Sequence, residues 1–354
     1  MGVQLIVALI CALVIPLLAV FFIDTKKKTR AFRNLPPGPR KLPIIGNLHQ
    51  LGSLPHRSLA RLSKQYGQIM LLHLGSIPTL VISSEDVARE VFKDHDTAFS
   101  GRPIFYAGKK LAYNQSDITF STYGESWKEL KKLVTQELLN NKRVKSFESV
   151  RKDEVKLMLD AITSSPDLFP YMAWFNRLNG FNAKVEKNFM ELDKFYDEVI
   201  EQHQDPQRPK LDHEDLVDVL LRLQRDPNQM NALTREQFKG VLTNIFNAGT
   251  GTSATTILWA MAELVRNPAV MRKAQEEVRE VAKGKLHVEE TDLLGLTYLR
   301  SVIKETLRLH PPLPLLVPRA TIEDCKIRGY TVPRGTTVFV NVLEQLHRFH
   351  RTEL

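Results

Sequence analysis

The longest helical pattern in the chain is TREQFKGVLTNIFNAGTGTSATTILWAMAELVRN, residues 234–267. It opens with Thr234 and Gln237 at the spacing of a capping box, and it ends where Pro268 can start another helix. Gly249 and Gly251 interrupt it, and each costs about 1 kcal/mol relative to alanine in a helix interior. Two explanations stay open: a kink or close helix crossing, or an opening where a ligand contacts the backbone and threonine hydroxyls.

Further helical patterns lie on both sides of this one. Ser84 precedes acidic residues as at a helix start, and the other patterns cover residues 125–139, 146–162, 184–201, 216–223, 268–282 and 296–310. Two β-rich segments, Ile69–Leu74 and Thr79–Ile82, flank Gly75 and Pro78 and predict a hairpin. The sequence therefore predicts a mainly α-helical domain with a small β-sheet.

The composition is that of a globular protein. The chain has 354 residues, of which 43% are hydrophobic and 25% charged, so disordered and collagen-like classes are excluded. The net charge of +9 is concentrated, because residues 24–41 hold seven basic side chains and one acid. Such a block beside an apolar segment indicates an anionic membrane surface, and we expect no nucleic-acid partner.

The apolar segment covers residues 3–23 and is interrupted by one polar residue, Gln4. As a helix it is about 31 Å long, which matches a bilayer core of about 30 Å. A cleaved signal peptide would have a basic start, a shorter apolar core and a small-residue cleavage site, and none of these is evident. We expect an uncleaved single-pass transmembrane anchor, then a basic and proline-rich hinge at residues 24–41, with the main domain cytoplasmic.

Glu305 and Arg308 stand three residues apart, so they share one face of the last long helical pattern. On a solvated surface such a pair contributes only a few tenths of a kcal/mol, and E-x-x-R occurs by chance in many helices. The pair becomes more informative because residues 310–319 continue as an apolar, proline-rich segment that ends at Arg319.

Trp127 and Lys131 lie one helical turn apart. At this spacing an indole and an ammonium can reach a common acidic ligand group. Equally, they can be a core anchor and a solvated lysine, and the residues alone leave both interpretations open.

Taken in chain order, these features resemble a microsomal cytochrome P-450, and residues 215–221 are most similar to the plant enzymes of specialised metabolism. The resemblance extends from residue 1 to about residue 342. Besides the anchor and the hinge Pro36–Pro39, it rests on Leu42–Leu48, Phe99–Pro103, Tyr123-Gly124-x-x-Trp127, Ala248–Ser253, Glu305-x-x-Arg308 and Pro333-x-Gly335-Thr336.

The resemblance implies a partial cytochrome P-450 fold behind the transmembrane helix, in the endoplasmic reticulum membrane. Enzymes of this family hold haem between the central helix and a cysteine-bearing loop, and the thiolate on the iron favours O–O cleavage. They insert one oxygen atom from O2 into a small apolar metabolite, with electrons that a membrane reductase takes from NADPH.

By resemblance, Thr252 is the alcohol of the proton relay. Glu305 and Arg308 form a buried ion pair, in which the loss of one partner costs about 3–5 kcal/mol. The other implied contacts are Trp127, Lys131 and Arg319 with the haem propionates, and Phe105, Leu313 and Val317 in the substrate pocket.

The chain departs from the family pattern in four places. Gly251 stands where the family has the acid that accompanies Thr252, and Lys131 stands where an arginine is usual. Near residues 165–167 the chain is shortened, because it joins regions that the family separates by several helices. Residues 343–354 form a divergent tail without the glycine-rich loop that carries the iron-binding cysteine.

Neither cysteine of the sequence replaces that ligand. Cys11 lies in the anchor, and Cys325 lies in a segment that resembles a sheet edge. His347 and His350 are typical of solvated histidines in a polar tail, so we assign no metal ligand. Residues 42–342 are therefore expected to be an incomplete cytochrome P-450 domain without catalytic activity.

Three hypotheses follow. The first is a haem-dependent monooxygenase whose activity belongs to a fuller product of the same gene. The second is a membrane-tethered, non-catalytic remnant or fragment that at most binds lipid or a partner. The third is a chain that does not fold stably, because an incomplete cofactor site removes the stabilisation that binding supplies.

Overall fold

A computed structural model describes residues 34–148, 151, 181–208, 214–225, 233–285 and 288–342. The predicted anchor, the shortened segment near residues 165–167 and the tail at 343–354 lie outside these residues. Among the described residues, every helix is too short or too polar to cross a membrane.

The described residues confirm the prediction of a mainly helical protein with a small sheet. The helices are α1 (Pro55–Tyr66), α2 (Glu85–Lys93), α3 (Tyr106–Leu111), α4 (Glu125–Leu133), α5 (Asn141–Ser146), α6 (Phe181–Gln204), α7 (Leu216–Arg225), α8 (Arg235–Arg266), α9 (Pro268–Ala282) and α10 (Thr297–Leu309). The strands are β1 (Ile69–Leu74), β2 (Ile77–Ile82), β3 (Arg319–Ala320), β4 (Cys325–Ile327), β5 (Tyr330–Val332) and β6 (Thr337–Val340). Short 3₁₀ turns lie at Leu48–Gln50 and Glu290–Gly295, and a π-helical turn at Val134–Leu138.

The chain divides into two compact units. The first unit consists of the described residues up to Gly101 and from Pro314 onward, and the second of those within Arg102–Leu313. The described strands all belong to the first unit, together with α1 and α2. The second unit contains α3 to α10.

A four-stranded sheet in the order β1-β2-β6-β3 forms the centre of the first unit. β1 and β2 form the predicted antiparallel hairpin, in which Ile69 pairs with Ile82. β2 also pairs in parallel with β6, with Thr79 opposite Thr337. β2 is therefore an inner strand, which explains why its side chains from Thr79 to Ile82 are all buried.

The N-terminal part of α8 belongs to the core of the second unit. Thr234 and Gln237 make both hydrogen bonds of the predicted capping box at its start. Phe238, Val241 and Leu242 are buried in a cluster to which α4, α6 and α7 also contribute. Towards its C-terminal end the helix is largely exposed, and Ile257, Leu258, Trp259 and Met261 are among the exposed residues.

α8 is continuous through Gly249 and Gly251, so the helix does not open at these positions. A Cβ added to either glycine would meet no described atom within 4 Å, so no described helix crosses α8 closely here. The two glycines lie on an exposed part of the helix, where packing places no limit on the side chain.

Candidate functional site

The predicted pair of Glu305 and Arg308 forms on α10. Arg308 Nε and Nη2 donate hydrogen bonds to the two carboxylate oxygens of Glu305 at 2.6 and 2.5 Å. The pair is only partly buried, because the Arg308 side chain is 19% exposed and the Glu305 side chain 48%. Since Glu305 reaches solvent, we expect the loss of one partner to cost less than the about 3–5 kcal/mol of a fully buried pair.

Trp127 and Lys131 contact each other on α4. Lys131 Nζ lies 4.7 Å from the centroid of a Trp127 ring, a cation–π contact. The indole Nε1–H of Trp127 donates to the backbone carbonyl of Ile118 at 2.8 Å. The spacing thus brings the two side chains together, but the indole donor is already used by the preceding loop.

That loop has a conformation that the sequence did not predict. Tyr113, Asn114 and Gln115 are all left-handed, with φ of 47°, 60° and 62°, which is unusual for consecutive residues with a side chain. Next to them, the buried Asp117 carboxylate accepts hydrogen bonds from Phe120 N and from Asn244 Nδ2 of α8, both at 2.7 Å. Burial raises the pKa of Asp117. These bonds attach the loop that carries Ile118 to the central helix.

Arg319 belongs to the first unit, where its guanidinium contacts the carboxylate of Asp96 and the ring of Phe92. Its Nη1 donates to Asp96 Oδ1 at 2.6 Å, and its guanidinium lies 4.5 Å from the Phe92 ring centroid. Sequence reasoning missed Asp96 because it lies far away along the chain.

The predicted substrate-pocket residues are distributed over both units. Phe105 precedes α3, is partly exposed and makes an edge-to-face contact with Phe120 at 5.6 Å between ring centroids. Leu313 is exposed at the end of the second unit, and Val317 is half-buried in the first.

A groove of about 350 Å³ lies between α8 and the C-terminal end of α10, and Thr252 lines it. The other lining residues are Ser253, Thr256, Ile257, Leu307 and Pro312. Hydroxyl groups from α8 thus face apolar side chains from α10 and the residues after it. Sequence reasoning named Thr252 but missed the others, although Thr252 and Thr256 stand at the i, i+4 spacing of one helix face.

His310 fixes the end of α10 against α8 beside this groove. Its imidazole stacks on Trp259 with ring centroids 3.8 Å apart and planes 3° apart. Its Nε2 donates to Glu263 Oε1 at 2.9 Å. The two contacts hold the segment with Leu307 and Pro312 beside the threonines of α8.

Cys325 is the cysteine that lies among the described residues, and it occupies the β4–β5 hairpin. Its Sγ lies 3.8 Å from the carbonyl oxygen of Val332, to which the thiol donates. Burial, followed by the nearby Glu323 and Asp324, raises the pKa of this thiol to about 11. Cys325 is therefore protonated at neutral pH and is not a ready thiolate ligand.

The sequence model of the family described as Cytochrome P450 matches residues 36–168 and 162–349 of this chain. Strychnine-11-hydroxylase from Strychnos nux-vomica is 47% identical over 379 aligned positions, which cover 91% of this chain and 75% of the relative. That alignment is longer than the chain itself, so the relative has residues that face gaps in this chain.

A second relative gives the same family, and a solved structure gives a similar fold. Cytochrome P450 71A9 from Glycine max is 48% identical and is aligned over 87% of this chain and 73% of its own length. Among solved structures, a zebra fish cytochrome P450 with progesterone superposes with a TM-score of 0.69 over 85% of this chain and 82% of that chain. At 24% identity this structure is similar in fold alone.

Proposed function

Because the chain belongs to the cytochrome P450 family, we propose that it derives from a haem-dependent plant monooxygenase that oxidises a small apolar metabolite. Electrons would come from NADPH through a membrane reductase, and an N-terminal anchor at residues 3–23 would hold the protein at the endoplasmic reticulum. The names of the relatives support oxidation of plant metabolites, since one is a strychnine hydroxylase and another, from Nicotiana tabacum, is 5-epiaristolochene 1,3-dihydroxylase.

For the 354 residues taken by themselves, we propose that they do not catalyse this oxidation. The observation that carries this proposal is the state of Cys325, a protonated thiol in a β-hairpin with a carbonyl partner. Cys11, the other cysteine, belongs to the predicted anchor. A haem-thiolate enzyme needs a cysteine that binds iron as the thiolate.

The residues that the resemblance assigns to the haem propionates have contacts within the protein. The Trp127 indole N–H is bonded to Ile118, Lys131 lies over the Trp127 ring and Arg319 is bonded to Asp96. Only the single indole N–H of Trp127 would have to leave its partner before it could contact a propionate, since Arg319 and Lys131 have further N–H donors. No oxidation step is therefore assigned to these side chains, and their roles stay proposals for a longer protein of the family.

Thr252, which the resemblance assigns to the proton relay, supports the same conclusion. Its hydroxyl donates to the Ala248 carbonyl at 2.5 Å, and the neighbouring Gly251 has no side chain with which to exchange a proton.

The alternative function is a membrane-tethered, non-catalytic protein that binds lipid or a partner. It is supported by the lack of a ready thiolate at Cys325, and the basic residues that follow the apolar segment suit a lipid partner.

The experiment is a spectrum of the expressed 354-residue chain. The protein is purified with haem supplied during expression, reduced and saturated with carbon monoxide, beside the full-length strychnine-11-hydroxylase as the positive control. We expect the thiolate-type band in the control and no such band in this chain. If the band appears at stoichiometric haem content, the proposal of inactivity is wrong, and Cys325→Ser then shows whether Cys325 is the ligand.

A second measurement addresses the gene. Sequencing of transcripts downstream of the codon for Val342 tests for a frame that encodes Phe-x-x-Gly-x-Arg-x-Cys-x-Gly. Its presence favours a monooxygenase with a longer product, and its absence favours the non-catalytic remnant.

A further inference from the structure

A pocket of about 230 Å³ lies beside β1, the edge strand of the sheet in the first unit. Its walls come from the end of α1, the start of α2, the β4–β5 hairpin and the segment before α1, and they include Pro37, Tyr66, Ile69, Val87, Arg328 and Tyr330. We call it the Arg328 pocket, because Arg328 is the charged residue of its lining. The residues that the resemblance assigns to haem or substrate are not among those that line it.

Arg328 provides this pocket with a positively charged group whose outer donors are uncommitted. Its Nε donates to Glu90 Oε2 at 2.7 Å, and this bond positions the side chain. A guanidinium has five N–H donors, and the hydrogen bonds among the described residues do not use Nη1 or Nη2 of Arg328. The Arg328 side chain is 52% exposed, so its Nη groups can receive a carboxylate in the bidentate geometry that arginine favours.

The chain enters the described region next to this arginine. Asn34 Nδ2 donates to the Gly329 carbonyl at 2.7 Å, and the backbone N–H of Thr331 donates to the Asn34 carbonyl at 2.8 Å. Residues 26–33, which directly precede Asn34, contain five basic side chains and no acid. This concentration of positive charge outweighs Glu90 and favours an anion at the pocket.

The remaining walls suit one aromatic ring. Tyr66 and Tyr330 each contribute a half-buried ring, and Pro37, Ile69 and Val87 add aliphatic surface. Aromatic rings attract each other in stacked or edge-to-face contacts beyond the gain from burial. The volume of about 230 Å³ is below the range for drug-sized ligands, which limits the occupant to a small molecule.

We propose that the Arg328 pocket binds a small aromatic carboxylate, whose carboxylate contacts the Nη groups of Arg328 and whose ring contacts Tyr66 and Tyr330. The inference goes beyond the proposed function, since this site requires neither haem nor the groove at Thr252. A neutral amide of the same shape lacks the charge for the contact with Arg328, and a saturated acid lacks the ring contact, so both bind more weakly.

The test uses the purified 354-residue chain with benzoate, benzamide and cyclohexanecarboxylate as probes. Their affinities are measured by calorimetry and ligand-observed NMR at low salt. We expect benzoate to bind about tenfold more tightly than benzamide and about threefold more tightly than cyclohexanecarboxylate. Added salt should weaken the binding of benzoate and leave that of benzamide unchanged. The readout involves no haem, so a failure here is distinct from a failure of the spectroscopic test of the proposed function.

Variants of Arg328 assign the preference for the anion. Arg328→Gln should bring benzoate and benzamide within about twofold of each other, because it removes the charge and keeps a side chain at the same left-handed position. Arg89→Gln is the matched control, since Arg89 pairs with Glu85 on α2 outside the pocket lining, and it should keep the preference of the unmodified chain. If Arg328→Gln does not fold by circular dichroism, Arg328→Lys keeps the charge beside Glu90 and should lower the preference, because it lacks the fork of donors.

Variants of Tyr66 assign the preference for the ring. Tyr66→Leu should reduce the difference between benzoate and cyclohexanecarboxylate, because it removes one of the two aromatic walls. Tyr66→Phe retains the ring and should retain the difference.

Three outcomes would overturn the inference. The first is binding of benzamide by the unmodified chain as tightly as benzoate. The second is a preference for benzoate over benzamide that survives undiminished in the folded Arg328 variant. The third is no binding of benzoate, which would mean that the Arg328 pocket is not a site for aromatic acids.

Discussion

At the scale of single residues, Gly251 and Gly240 occupy opposite environments on the same helix. A Cβ at Gly251 would meet no described atom within 4 Å, whereas a Cβ at Gly240 would lie 3.2 Å from Asp117 Cβ and 3.4 Å from its Cα. Gly240 is thus needed for the approach of the loop that carries Asp117. Gly251 has no such neighbour, although the two residues look alike in the sequence.

We therefore expect Gly251→Ala to stabilise the protein by about 0.5–1 kcal/mol, because alanine is the better helix former and has room. Urea unfolding followed by circular dichroism measures the change. Gly240→Ala is the matched control on α8, and it should be destabilising because backbone atoms of Asp117 leave little room. If Gly251→Ala destabilises the protein, then Gly251 either packs closely against another part of the chain or has a backbone conformation that alanine does not tolerate.

At the scale of elements, the sequence predicted helices best where their ends carry local signals. Pro268 marks the start of α9, which runs over the predicted residues 268–282. The pattern at 125–139 instead ends as α4 at Leu133 and continues as a π-helical turn, which no local signal announces. The site residues follow the same rule, because spacing along one helix predicted the contact of Glu305 with Arg308 but not their exposure.

Contacts between elements were out of reach of the sequence. Lys239 reads as a polar residue on α8, yet its side chain is only 6% exposed. Its Nζ lies 2.7 Å from Asp193 Oδ1 and 2.8 Å from Asp197 Oδ1, both on α6. Arg235 pairs with Asp197 as well. Because Asp193 and Asp197 stand at i, i+4 spacing, they form one acidic edge that receives the buried lysine.

Lys239→Ala should destabilise the protein by about 3 kcal/mol, the lower end of the range for a broken buried pair, because the two aspartates are about one-third exposed. Chemical denaturation gives the value. Lys187→Ala is the control on α6, since its pair with Glu191 is exposed on both sides and should change stability by less than about 0.5 kcal/mol. Similar effects of the two substitutions would mean that the ion pairs of Lys239 contribute no more to stability than an exposed pair.

At the scale of the whole molecule, five acids among the described residues have pKa values below their usual ones. They are Glu186, Asp197, Asp215, Glu277 and Asp292. For Glu277 the causes are hydrogen bonds from the backbone N–H groups of Tyr298 and Leu299 in the first turn of α10, at 2.8 and 2.9 Å. A lowered pKa means that folding favours the ionised carboxylate.

The sign of the pH dependence follows from this direction. The contribution of each acid is complete above its usual pKa, which is 3.8 for aspartate and 4.5 for glutamate, and it is lost as the pH falls through the lower value in the folded chain. We expect these five carboxylates to add a fall in the urea midpoint once the pH drops below about 4.5, after an earlier fall below about pH 6.5 from His56 and His73, whose pKa values burial lowers. Glu277→Gln should flatten part of the later fall, and a midpoint that rises on acidification would contradict the prediction.

The sheet of the first unit has a consequence for how the protein is made. β2 leaves the ribosome early, but its parallel partner β6 follows only after the whole of the second unit has been synthesised. Until then the nascent hairpin of β1 and β2 keeps one row of backbone donors and acceptors open, and such an edge pairs readily with other chains. We therefore expect the yield of folded protein to depend on how long that edge is protected from other chains before β6 is synthesised.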